Sequence, residues 1–131
     1  MVLYLNFSEL EEFQLLNKEY PHPKQIRSLI LTPTRELAIQ IEGVFRSMKT
    51  NFKVLSCYGG HSISTEKKSL TEAPALLIGT PGRICDHISR GTIDLSMVEQ
   101  FFVDEYDKCL EFGFDDQMSY INEEFRCLEK V

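Results

Sequence analysis

A short apolar run that passes at once into Thr-Pro-x-Arg occurs twice in this chain. Leu31-Thr32-Pro33-Thr34-Arg35-Glu36 follows residues 29–31, and Gly79-Thr80-Pro81-Gly82-Arg83 follows residues 76–78. A Thr at the cap position, a Pro at the first helical position and an Arg in the first turn make a helix N-terminus whose free N–H groups and positive dipole end face outward. Such an end attracts anions, phosphate above all. Either copy alone reads most simply as a well-capped helix start. The two together, each at the end of a strand-like run, point to phosphate binding.

Composition limits what kind of protein can carry this pair. With 131 residues and 43% hydrophobic content the chain forms one domain at most, long enough to bury a core. No apolar run approaches a membrane span, and Met1-Val2-Leu3-Tyr4-Leu5 lacks the basic flank and cleavage site of a signal peptide, so an intracellular, cytoplasmic protein is expected. Cys57, Cys85, Cys109 and Cys127 include no Cys-x-x-Cys, and His22, His61 and His87 form no ligand pair; the spacing indicates neither a disulfide framework nor a zinc site. A net charge of −6 excludes a broad basic field for nucleic acid, so any phosphate binding has to be local.

Periodicity gives strands alternating with amphipathic helices. Ser28–Leu31 is a strand, and Leu37, Ile41, Val44, Phe45 and Met48 fall at helical spacing over residues 34–49. Residues 52–58 form a second strand that ends at Gly59-Gly60, where missing side chains allow close approach. Residues 62–72 read as a polar surface helix and 76–78 as the third strand; the second Thr-Pro-x-Arg opens a helix that Gly91 closes. Gln100–Val103 is the fourth strand, followed by a short helix ended by Gly113 and a last helix whose buried face carries Phe114, Met118, Ile121, Phe125 and Leu128. This rhythm implies an α/β fold, a mainly parallel sheet with helices on both faces and function at the carboxyl ends of the strands. Residues 17–25 read as a surface loop. Residues 2–7 stay open between strand and helix: 2–5 have strand composition, while Leu3, Phe7, Leu10 and Phe13 make one helical stripe.

The fourth strand runs into Asp104-Glu105-Tyr106-Asp107. Carboxylates at the end of a buried strand suit a nucleotide-hydrolysing site, with an Asp holding Mg²⁺ and a Glu orienting an attacking water. They also suit simple capping of the next helix, since acidic residues favour a first turn.

Taken together these residues resemble the DEAD-box RNA helicases over residues 27–128. Pro33-Thr34-Arg35-Glu36-Leu37-Ala38 is similar to the family's motif Ia, Gly59-Gly60 to its GG motif, Thr80-Pro81-Gly82-Arg83 to motif Ib and Asp104-Glu105-Tyr106-Asp107 to motif II, in the family's order and spacing. Tyr106 stands where the family name has Ala. The resemblance implies a RecA-like fold of the P-loop NTPase type and an ATP-dependent activity that separates short RNA duplexes. It implies sequence-independent RNA binding through Pro33, Thr34, Arg35, Gly59, Gly60, Thr80, Pro81, Gly82 and Arg83, with Arg35, Thr80 and Arg83 foremost. Asp104 would hold Mg²⁺ with ATP, Glu105 would position water, and Asp107 would couple the nucleotide site to the domain.

The family's Gly-Lys-Thr phosphate loop, its Ser-Ala-Thr motif and its second RecA-like domain do not occur in residues 1–131. The chain therefore reads as a partial first domain, expected to bind neither ATP nor Mg²⁺ tightly and to be inactive alone. A non-catalytic RNA- or partner-binding module is the alternative, and an unrelated α/β phosphate-binding enzyme a third. The neighbours that the resemblance gives Gln100–Val103 on its far side are the two strands bearing the missing motifs. Phe101-Phe102-Val103 is thus expected to form an unpaired apolar edge. Self-association through that edge is favoured over covering by the C-terminal helix or by residues 2–5.

Overall fold

In a computed structural model of the chain, the described residues are Val2–Leu3, 25–48, 52–60 and 62–129, with side chains described over 25–48, 52–60 and 62–124. The elements run β1 (Val2–Leu3), β2 (Ser28–Leu31), α1 (Arg35–Ser47), β3 (Val54–Cys57), α2 (Ile63–Leu70), β4 (Leu76–Gly79), α3 (Pro81–Ser89), β5 (Gln100–Val103), α4 (Tyr106–Glu111) and α5 (Asp115–Glu129). All strand pairs are parallel, in the order β1-β5-β2-β4-β3. The register aligns Leu31 with both Gly79 and Val103, and Gly79 with Cys57, so four strands end on one line.

Side-chain alternation along these strands builds two cores. Ile30, Val54, Leu76, Ile78 and Phe102 face α1, which buries Ala38 and Phe45 against them. Leu29, Leu31, Cys57, Leu77, Phe101 and Val103 face the other way, onto Leu70 of α2, Ile84 of α3, Cys109 of α4 and Met118 and Ile121 of α5. Strands buried on both faces are what an uninterrupted apolar run such as Ser28–Leu31 demands. Each fully buried Leu, Ile or Phe contributes roughly 1.5–3 kcal/mol.

Several expectations change. Val44 is 41% exposed, because it sits about 100° of helix rotation away from Phe45 and off the face shared by Ala38, Ile41 and Phe45. Helix α2 is not simply a polar surface helix: Glu66 and Leu70 are both buried. The expected open edge at β5 is also corrected. Val2 pairs with Phe101 and Leu3 with Phe102, so this backbone finds its partners within the chain, and the argument for self-association through an unpaired edge lapses. Residues 2–3 are thereby strand; the possible helix over Phe7, Leu10 and Phe13, the loop 17–24 and the side chains of Phe125 and Leu128 lie outside the described residues. Cys57, Cys85 and Cys109 are free thiols, Cys57 and Cys109 buried.

Candidate functional site

Each parallel strand hands its chain to the next element at the same end of the sheet, and three further backbone bonds extend the ladder by one step. Asp104 N–H donates to Leu31 C=O at 2.8 Å, Thr32 N–H to Gly79 C=O at 3.0 Å, and Thr80 N–H to Cys57 C=O at 3.2 Å. Asp104, Thr32, Thr80 and Tyr58 therefore stand side by side, and all four motif segments share one rim of the molecule.

The two Thr-Pro-x-Arg copies are built differently. In the first, Thr34 is the cap, accepting from Leu37 N–H at 3.2 Å, and Arg35 is the first helical residue. Thr32, expected to cap, is fully buried, and its hydroxyl has no partner among the described residues. In the second, Thr80 is the cap and Pro81 opens α3, but the Thr80 side chain makes no capping bond. Two extra residues between strand and helix in the first copy account for the shift from Thr32 to Thr34.

Arg35 is exposed, its guanidinium 5.7 Å from the Tyr58 ring centre, a cation–π contact of about 0.5–1 kcal/mol. Gly60, at φ +94°, leaves it room: a Cβ there would lie 2.8 Å from Arg35 Nη1. Arg83 is turned inward and is only 13% exposed, with Nη1 3.3 Å from Glu66 Oε1. The same oxygen lies 2.8 Å from His87 Nε2, and Glu66 Oε2 accepts from Tyr58 N–H at 3.0 Å. One buried carboxylate thus ties the start of the Gly59-Gly60 turn to two successive turns of α3. Cys57 adjoins this group; burial, with Glu66 beside it, pushes its thiol up to about 12. Sequence spacing hid the cluster, because Cys57, Glu66 and His87 come from β3, α2 and α3 and only the strand order brings them together.

At the other end of the rim, Glu105 adopts a left-handed backbone (φ 50°, ψ 54°), uncommon for a residue that carries a Cβ and costing roughly 1–3 kcal/mol. It occupies the cap position of α4 without any side-chain capping bond, so helix capping does not explain it. Its carboxylate lies 3.2 Å from Lys108 Nζ. Asp104 is half-buried, and burial together with the Glu105 charge raises its carboxyl above the usual range. Asp107 is exposed in the first turn of α4, while Tyr106 is half-buried against the core around β5.

The Asp104 shift has a consequence for stability. A group whose folded value is raised contributes stability that is present below its unfolded value and is lost as pH rises through the folded value. Asp104→Asn is therefore expected to lose less stability than the parent between mildly acidic and neutral pH. Urea midpoints at both ends of that range test this; parallel declines in the two proteins would overturn it.

Residues 8–131 match the family described as DEAD/DEAH box helicase. The chain belongs to that family. A probable ATP-dependent RNA helicase of Methanocaldococcus jannaschii is 48% identical over 91 residues, covering 68% of this chain and 24% of that protein. The ATP-dependent RNA helicase CshA of Listeria monocytogenes is 41% identical over 112 residues, covering 84% and 22%. A crystal structure of a DEAD box protein from the hyperthermophile Methanococcus jannaschii superposes with a TM-score of 0.75 at 38% identity, over 92% of this chain and 34% of that one. The yeast DEAD-box splicing factor Prp28 gives 0.73 at 31% identity, over 92% and 31%. The fold is the RecA-like fold of DEAD-box proteins, and the chain spans less than a quarter of the length of these curated relatives. Among the described residues no helix is long and apolar enough to cross a membrane.

Proposed function

We propose that these 131 residues are the RNA-gripping and carboxylate-bearing part of the first RecA-like domain of a cytoplasmic ATP-dependent RNA helicase, which couples ATP binding and hydrolysis to duplex unwinding. The observation that carries this reading is the shared rim, where Arg35, the Gly59-Gly60 turn and the start of α3 stand in line with Asp104 and Glu105. RNA phosphates would lie along Pro33, Thr34, Arg35, Gly59, Gly60, Thr80, Pro81 and Gly82, contacts that position a strand without reading its bases. Arg83 would join them only by giving up Glu66.

The acidic end fits a hard dication. Asp104 is half-buried beside a second carboxylate, so its charge is disfavoured until a cation neutralises it. Asp104 would hold Mg²⁺, which when bound offsets phosphate charge. Glu105, fixed by its left-handed backbone, would orient a water, and Asp107 would link this end to the domain. The 131 residues contain no Gly-Lys-Thr loop to cradle the β- and γ-phosphates, so the chain alone would bind ATP and Mg²⁺ weakly and act as an RNA-binding module without turnover.

Titration of labelled single-stranded RNA at several salt concentrations tests the grip. Arg35→Ala is expected to weaken binding several-fold and to reduce the salt slope by about 1. Arg83→Ala should cost less, because its guanidinium is already engaged. Parent-like binding by both variants would overturn the assignment.

A further inference from the structure

Cys57 Sγ, a Glu66 carboxylate oxygen and a His87 ring nitrogen all lie within 4.8 Å of one another, and no part of the RNA or nucleotide reading uses them as a set. We propose that these three side chains form a binding site for a thiophilic divalent cation of the Zn²⁺ type.

The donor set comes first. Thiolate sulfur, imidazole nitrogen and carboxylate oxygen are the three ligand types that Zn²⁺ takes, at about 2.0–2.3 Å each. Ligand atoms around a tetrahedral ion stand roughly 3–4 Å apart at those bond lengths. A closure of about an ångström by side-chain rotation brings the present cluster to that spacing. Burial comes second: Cys57 and His87 are fully buried and Glu66 is 4% exposed, unlike the exposed carboxylate clusters common on protein surfaces. The three residues also come from β3, α2 and α3, so an ion there would bind three elements together as structural zinc sites do.

The third observation is independent of the clustering. His87 has one ring nitrogen on Glu66, whereas Nδ1 is buried with no hydrogen-bond partner among the described residues. Buried polar atoms are rarely left unpaired. In the geometry shown the Glu66 contact serves Nε2, and the bonding of the ring stays incomplete at Nδ1. A cation at the Nδ1 lone pair, with the Nε2 proton donated to Glu66, completes it in the manner of carboxylate–histidine–metal sites.

Arg83 is the competitor. Its contact with Glu66, at 3.3 Å, is longer than those of His87 Nε2 at 2.8 Å and Tyr58 N–H at 3.0 Å. Binding replaces that contact: the Cys57 thiol releases its proton to solvent, thiolate and carboxylate together balance the dication, and the Arg83 guanidinium turns toward the rim. A water or the second carboxylate oxygen takes the fourth position.

The test is titration of Co²⁺, then Zn²⁺, into the reduced and chelator-treated 131-residue chain. The expected result is a one-to-one Co²⁺ complex with the intense near-ultraviolet band of thiolate-to-cobalt charge transfer and the strong visible bands of four-coordination, bleached by Zn²⁺. Cys57→Ser should abolish the charge-transfer band and weaken binding at least tenfold, while Cys85→Ser and Cys109→Ser keep the band. X-ray absorption on the zinc-loaded parent should detect one sulfur with nitrogen and oxygen neighbours, and this measurement decides the matter if Cys57→Ser fails to fold. No binding, or weak octahedral bands that survive Cys57→Ser, would overturn the proposal. So would a zinc shell without sulfur.

Discussion

Glu66→Ala is expected to lower the unfolding free energy by about 3–5 kcal/mol, the usual cost of removing one partner from a buried ion pair. The carboxylate is 4% exposed and serves Arg83, His87 and the Tyr58 N–H at once. Its loss leaves a guanidinium that is only 13% exposed, and a buried backbone donor, without these bonds. Urea denaturation monitored by circular dichroism measures the change. A loss under about 1 kcal/mol would place the pair with solvent-exposed bridges and overturn the view of Glu66 as a hub. Combining the change with Arg83→Met separates the causes: if the stranded charge dominates, the double variant should recover much of the loss.

Gly79→Val is expected to destabilise by roughly 3 kcal/mol or more, at the upper end for overpacking a core. A Cβ on Gly79 would fall 2.4 Å from Ile84 Cδ1, 2.5 Å from Ile84 Cγ1 and 2.9 Å from the Cys57 carbonyl oxygen. The isoleucine can rotate at some cost, but the backbone oxygen accepts from Thr80 N–H and is held by the ladder. Relief then requires α3 to lift off the sheet, which would carry Thr80, Pro81 and Gly82 away from the rim. RNA affinity is accordingly expected to fall together with the thermal midpoint. Gly82→Ala, where an added Cβ meets nothing within 4 Å, is the control and should leave stability within about 0.5 kcal/mol. Equal midpoints for Gly79→Val and the parent would show that the helix has slack that the geometry denies.

Much of this arrangement is legible in the sequence alone. Ser28–Leu31 and Gln100–Val103 announce themselves as buried parallel strands because each holds three contiguous apolar residues, 29–31 and 101–103, which a strand covered on both faces can hide. Thr-Pro-x-Arg announces a helix start because cap and first-turn preferences act within a few residues. Legibility ends where the partner is distant in sequence. Nothing local to Val2–Leu3 says that it lies along Phe101 and Phe102. Nothing local to α2, whose visible pattern is polar, says that one of its carboxylates is enclosed by β3 and α3. The inward turn of Arg83 follows from that carboxylate, so the two arginines that look alike in sequence face opposite environments. The left-handed Glu105 is a similar case, since the sharp exit from β5 that forces it depends on where α4 packs.

That backbone angle also bears on how the chain can change. Glycine tolerates φ 50° freely and asparagine nearly so, whereas glutamate pays for it without receiving a capping bond in return. A population of variants selected only for remaining folded would drift at position 105 toward those two residues and lose the carboxylate. A population required also to use that carboxylate would hold glutamate against the drift. The identity of one residue, followed under the two regimes, reports whether its chemistry or its fold is under selection.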